Sequence, residues 1–335
     1  MQPFAARYPA ATTPAPTRRK VADVLTREEI AKLTARSDLR GGWAVLSTWA
    51  IIAGAFALLA RWTGPLTLLA ALVVVGGRQL ALAILMHDAS HGSLFRTPWL
   101  NRVVGDWVCG RPIWNDLPKY RAHHLVHHAK AGTEEDVDIS LVASLPTTRP
   151  SMARKCARDM LGVTGLKFLL GRLLMDAGVL EFTVAHALRR RPRDGRAWYH
   201  YVVSALRNMT PMLLTNAVLF GVLAATRHPW VYGVWVLSYM TAFSLFVRIR
   251  SMAEHACTRM TTDVFGNTRT TRAGWLARMT VAPVRVNYHL EHHFVMTVPY
   301  FRLPALHKLL LDRGAIAQPP GYLDVLKMVS SAPAR

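Results

Sequence analysis

Cysteine is scarce in this chain: 335 residues hold three, Cys109, Cys156 and Cys257. An odd number, widely spaced and without a CxxC pair, excludes a disulfide framework and a cysteine-based zinc site. Acidic residues are also few, 20 against 41 Lys and Arg, which leaves a formal net charge of +21. Such an excess suits a polyanionic partner, yet no recognisable nucleic-acid-binding pattern accompanies it, and the basic residues are spread through an apolar chain. Nucleic acid is therefore set aside. The first forty residues lack the short apolar core and small-residue cleavage site of a removable signal peptide, so the first long apolar stretch is expected to serve as an uncleaved anchor. Solenoid-type repeats are absent too.

What the chain does have is apolar length. Hydrophobic residues make up 51% and mean hydropathy is +0.17, values that favour membrane spans over one soluble domain. Trp43 to Leu59 and Leu66 to Met86 are nearly free of polar residues and flank the turn signal Thr63-Gly64-Pro65. A second pair repeats the plan, Met212 to Ala225, extendable from about Met209, and Trp230 to Val247, around Arg227-His228-Pro229. The expected fold is an all-α integral membrane protein with four transmembrane helices in two hairpins, at about 43–61, 65–86, 209–226 and 230–247, and a cytoplasmic helical cap carrying a His-rich dimetal site. A polar N-terminal arm (1–40) precedes a single membrane domain (41–315), and a tail (316–335) follows it. Leu161 to Leu180, interrupted by Lys167, Arg172 and Asp176, reads as an amphipathic helix on the membrane rather than a fifth span. Pro112, Pro118, Trp107 and Trp114 suggest a broken segment at the interface.

Charge sets orientation. The hairpin tips carry only Arg61 and Arg227, while nearly all other basic residues fall in the arm, the middle section and the region after Val247. Those three regions should face the cytoplasm, with both termini there. The run Arg189-Arg190-Arg191 with Arg193 and Arg196 is the densest basic patch, suited to anionic lipid or to an acidic electron-transfer partner.

Histidine decides the chemistry. Eight of the 14 histidines fall in His87-Asp-Ala-Ser-His91, His124-Leu-Val-His127-His128 and His289-Leu-Glu-His292-His293. A random scatter rarely produces three clusters of such similar spacing. Residues three and four apart share a helix face, so each cluster presents two or three imidazoles to one point, and together they can hold two metal ions. An almost all-imidazole shell argues for a transition metal over magnesium or calcium. All three clusters follow even-numbered spans and so land on one side of the membrane. In the second cluster the set can start at His123 or His124, and the one-four-five spacing of the third cluster favours His124. His255 is a lone histidine, a class usually structural, but the fourth span is expected to carry it onto the same face. Asp88, Asp136, Asp138, Glu254 and Glu291 lie close enough in sequence to orient ligands through their second ring nitrogen, with Asn287 a further donor or cap. Arg78, flanked by Gly76 and Gly77, falls about nine residues before His87, or about 13 Å deeper on a helix. It calls for a buried carboxylate, a polar substrate group or an interfacial position.

The motifs HDASH, HHLVHH followed by EEDVD, and NYHLEHH followed by VPYFRLPALHKLL resemble those of the membrane fatty acid desaturase and hydroxylase family over roughly residues 40 to 315. The resemblance implies iron bound by His87, His91, His124, His127, His128, His289, His292 and His293, with His255 as a further ligand. It implies two Fe ions, O2 as co-substrate, a lipid or acyl substrate, an external donor such as a ferredoxin or cytochrome, and a bacterial inner-membrane location. Where some relatives carry Asn four residues before the last histidine, Ser251 stands here. An HPGG haem-binding signature is absent, which implies a separate electron donor. Desaturation of an acyl chain is the expected reaction. The alternatives are hydroxylation of a lipid, carotenoid or small lipophile, a membrane zinc hydrolase, which usually needs about three protein ligands, and a metal transporter.

Overall fold

The computed structural model describes residues 19–192 and 195–333, and across them the chain is helical, without a strand. α1 (Asp38–Arg61) begins where Ser37 Oγ accepts the Arg40 amide, capping an orphan N–H of the first turn. After Gly64, Pro65 opens α2 (Pro65–Ser90), its fixed φ suiting the first helical position, where no N–H is needed. From Val75 to Ser90 every residue of α2 except Ala83 is buried, so this helix is the axis around which the others pack. A Cβ on Gly77 would come within 2.2 Å of the Met279 carbonyl oxygen, and one on Gly76 within 2.7 Å of the Ala242 methyl.

Between the hairpins the chain runs through a short helix, a π-helical turn at Val104–Gly110 and a 3-10 turn at Arg111–Ile113. Asp116 then caps α3 (Leu117–Lys130), and Pro118 sits harmlessly in its first turn. α4 (Val163–Asp176) exposes Leu166, Leu170 and Leu173 while burying Gly165, Gly171 and Arg172. At Gly165 its backbone meets Met240 so closely that a Cβ would lie 2.3 Å from the Met240 carbonyl oxygen.

α5 (Trp198–Ala225) and α6 (Val231–His255) form the second hairpin. With α1 and α2 they are the four helices long and apolar enough to cross a membrane. α5 starts at Trp198, well before the apolar window at Met209, and carries Pro211 in its interior. α6 runs on past Val247 to His255, with a π-helical turn at Tyr239–Phe243. Large apolar side chains face outward on the spans, among them Leu46, Leu69, Val218 and Phe220, as a hydrocarbon solvent requires.

At the far end of the chain come α7 (His289–Phe294), all six residues buried, α8 (Leu303–Asp312) and α9 (Tyr322–Val329). Both ends of the described chain join the core. Leu25 and Leu33 from residues 21–33 pack with Leu290, Phe294, Leu306 and Leu310. Val325 and Val329 of α9 pack with Met252 and Ala253 of α6. Arg189, Arg190 and Arg191 are exposed, while Arg193 lies outside the described residues.

Gly77→Ala should cost about 1–3 kcal/mol, the range for overpacking a close contact. Gly54→Ala, whose added methyl meets nothing within 4 Å, should not. Thermal unfolding of the two variants in one detergent checks this, and an unchanged Gly77→Ala midpoint contradicts the packing.

Candidate metal centre

The four elements that carry the histidines end at one place. α2 supplies His87 in its last turn and His91 just beyond it, α3 supplies His124, His127 and His128, α6 ends on His255, and α7 supplies His289, His292 and His293. The nine imidazoles form two groups, His87, His91, His124, His128 and His292 in one and His127, His255, His289 and His293 in the other. Within each group the ligand atoms all lie within 4.8 Å of one another. The groups abut where His128 stacks on His293, ring centroids 4.1 Å apart.

The donor atoms are arranged as ligands are. Nε2 of His128 lies 3.0 Å from that of His124 and 3.1 Å from that of His292, and His289 Nε2 lies 2.8 Å from His255 Nε2. Two nitrogens each about 2.1 Å from one ion, at right angles, stand about 3.0 Å apart. Nε2 of His87, His91 and His293 is buried without a hydrogen-bond partner. Leaving such an atom unsatisfied costs about 1–3 kcal/mol, and a metal taking its lone pair removes that cost. Two transition-metal ions therefore fit these residues.

The second ring nitrogens face acceptors. His87 Nδ1 pairs with Asp88 and His127 Nδ1 with Asp136, both at 2.8 Å, and His255 Nδ1 meets the Asn267 carbonyl at 3.1 Å. Glu254 holds Arg250 at 2.7 Å and comes to 3.5 Å from His289 Nδ1. Asp138 takes His123 Nε2 at 2.8 Å and lies 3.8 Å from His127 Nδ1. His123 thus sits behind the centre, and His124 is the one that joins it.

Other residues turn elsewhere. Glu291 accepts from His307 Nδ1 at 2.6 Å and from Thr270 Oγ1, not from a cluster imidazole. Asn287 donates to the Thr271 carbonyl at 3.0 Å. The Arg78 guanidinium, for which a carboxylate, a substrate group or an interfacial position was expected, is buried and donates to the carbonyls of Arg278 and Met279 at 2.9 and 2.8 Å. These belong to the segment that crosses Gly77, where the backbone bends away from helix and frees its oxygens. Ser251 Oγ bonds back to the Val247 carbonyl at 2.9 Å, on its own helix. His307, Thr270, Asn267 and Tyr120, which stacks on His124 at 5.1 Å, escaped the sequence reading because none stands in a repeated motif.

Burial lowers the pKa of His124, His128, His289, His292 and His293 well below the ordinary 6.5, and that of His91 to about 4. His127 is the exception: burial lowers it, but the hydrogen bond to Asp136 and the charges of Asp138, Asp136 and Glu254 outweigh burial and raise it. Neutral imidazole is the form that binds metal.

A cavity of about 120 Å³ opens onto the centre, with His124, His127, His255 and His289 on its wall beside Leu80, Phe168 and Phe243. A larger apolar groove of about 800 Å³ between α1 and α5 touches none of the nine cluster histidines.

Four helices long and apolar enough to cross a membrane meet at a cluster of imidazoles that could hold metal ions, and the class this defines follows from comparison with known families. Residues 61–320 match the fatty acid desaturase family, and the chain belongs to it. Over 276 residues it is 24% identical to dihydrorhizobitoxine desaturase of Bradyrhizobium elkanii, covering 79% of this chain and 70% of that protein. The family is one of oxidoreductases, and a membrane protein of this class is what the four apolar helices describe.

Asp136→Asn should weaken metal retention about ten- to hundredfold by releasing His127 from its orienting carboxylate. Glu135→Gln, at an exposed pair with Lys130, should leave it unchanged, and chelator competition followed by metal analysis reads the difference. In metal-free protein the six lowered histidines stay neutral while the unfolded chain takes up protons below pH 6.5. Stability is then full above about 6.5 and falls as pH drops towards about 4, opposed only by His127 among these groups. A melting midpoint flat across that window contradicts the buried, neutral cluster.

Proposed function

We propose that the chain is an O2-dependent di-iron desaturase that introduces a double bond into an acyl substrate, with electrons from a separate donor such as a ferredoxin or cytochrome. The observation that carries this reading is the division of nine imidazoles, six buried and three half-buried, into groups of five and four, each able to hold one ion. A zinc hydrolase needs about three protein ligands and one open position, and a transporter would place its ligands along the spans. The centre is assigned to the cytoplasmic side of a bacterial inner membrane, because the basic residues cluster in the segments on its side of the spans.

Bound iron supplies the oxidising power by which dioxygen, with external electrons, removes hydrogen from an unactivated C–H bond. The protein's own residues do the rest. His87 and His127 are held by Asp88 and Asp136 in the tautomer that leaves Nε2 bare towards the ion. His255 caps α6 and completes the smaller group, so its position depends on that helix continuing unbroken past Ser251. Leu80, Phe168, Phe243 and Val247 line the approach and exclude water from it.

Purified protein should carry about two irons per chain. His255→Ala should reduce this towards one, because the smaller group falls from four donors to three. Mass spectrometry of products from cells expressing the chain should show a loss of two hydrogens. Zinc alone in the metal analysis, or a product that gains oxygen, contradicts the proposal.

A further inference from the structure

The cavity at the centre holds a charge that its own walls do not balance. Its charged lining residues are otherwise engaged: Arg250 with Glu254 at 2.7 Å, Asp136 with His127 at 2.8 Å, and Asp138 with His123 at 2.8 Å. Arg172 is the exception. It is 5% exposed, its guanidinium lies over the rings of Phe168 and Phe182 at 5.3 and 4.9 Å, and its Nε is buried without a hydrogen-bond partner. Among the described residues it makes no ion pair. Asp176 and Asp116 act on it only through space, across a second small cavity, and both are committed: Asp176 accepts from Trp114 Nε1 at 2.8 Å, and Asp116 accepts from Arg111 at 3.1 Å. A buried cation with no counter-charge in contact is a strong local field awaiting an anion, and two aromatic rings fix the plane of its donor fork.

Size narrows the occupant further. One water-sized group needs about 10–15 Å³ of cavity space, so a cavity of about 120 Å³ takes roughly ten of them. The neighbouring space of about 50 Å³, which shares Phe168, Tyr239 and Phe243 with it, adds little. An acid of about sixteen carbons has about eighteen such groups and needs roughly 180–270 Å³ in that measure.

Resting on the reading of the centre as a C–H oxidising site, we propose that the substrate is a compact carboxylic acid, its carboxylate held by Arg172 and its short apolar part lying along Leu80, Phe243 and Val247 towards the histidines. A single guanidinium matches one carboxylate in charge and in planar geometry, whereas a phosphate dianion would leave a negative charge buried. Arg172 is then a substrate anchor, and the fixed span from it to the centre selects the bond oxidised.

Binding can be read without turnover. Straight-chain saturated acids of about four to eighteen carbons and their methyl esters are added to the purified full chain, and the shift in its melting midpoint is followed. The expected result is stabilisation by short acids but not by their esters or by the longest acids, with Arg172→Met weakening the acids about ten- to hundredfold and Arg172→Lys restoring part of the loss. Equal shifts for acid and ester, undiminished binding in Arg172→Met, or preference for the longest chains would overturn the proposal. Should Arg172→Met fail to fold, the acid-to-ester comparison in the unaltered chain still decides. Iron content and product mass are measured on the same preparation, so a failed di-iron reading shows itself separately from a failed anchor.

Discussion

Closely packed and mostly buried, the nine imidazoles can share one volume only if nearly all of them are uncharged, and the architecture follows from that requirement. Like charges a few ångströms apart in a dry interior repel by several kcal/mol even at a generous effective dielectric. The protein meets the constraint by sinking the rings into the junction of α2, α3, α6 and α7, and by placing carboxylates behind selected rings rather than among them. At His87, His127 and His255 the N–H faces an acceptor on the outer side and leaves the other nitrogen's lone pair inwards, the polarity that a cation would demand.

The spans serve this junction. Each hairpin returns its chain to the side it started from, so the last turns of α2 and α6 rise next to each other and their histidines meet. Close backbone contacts at Gly76, Gly77 and Gly165 let the helices and the crossing segment approach without side chains between them. Arg78 locks the same crossing segment by two bonds to carbonyls that no helix uses. It therefore acts as a structural clamp beneath the centre.

The recurrence of one histidine spacing made the gathering of these histidines legible in the sequence, since helical periodicity turns spacing directly into a shared face. Long apolar windows revealed the four spans, but not where α5 begins or α6 ends. Hydropathy measures solvent preference, whereas helix continues as long as hydrogen bonding and packing allow, through Trp198 to Asn208 and through Arg248 to His255. Long-range pairings were not legible. That Glu291 would face His307 rather than an adjacent ligand, or that Arg172 would be drawn under two phenylalanines, depends on tertiary neighbours with no local signature. For His255, sequence gave the correct neighbourhood only because the end of a span could be extrapolated.

The packing of Leu25 and Leu33 against Leu290, Phe294, Leu306 and Leu310 has a bearing on biogenesis. Residues 21–33 cannot find this seat until residues 290–310 have been made, so α7 closes against them only after the spans that precede it. Any ion that α7 helps to hold would then be acquired only after the four spans have been made.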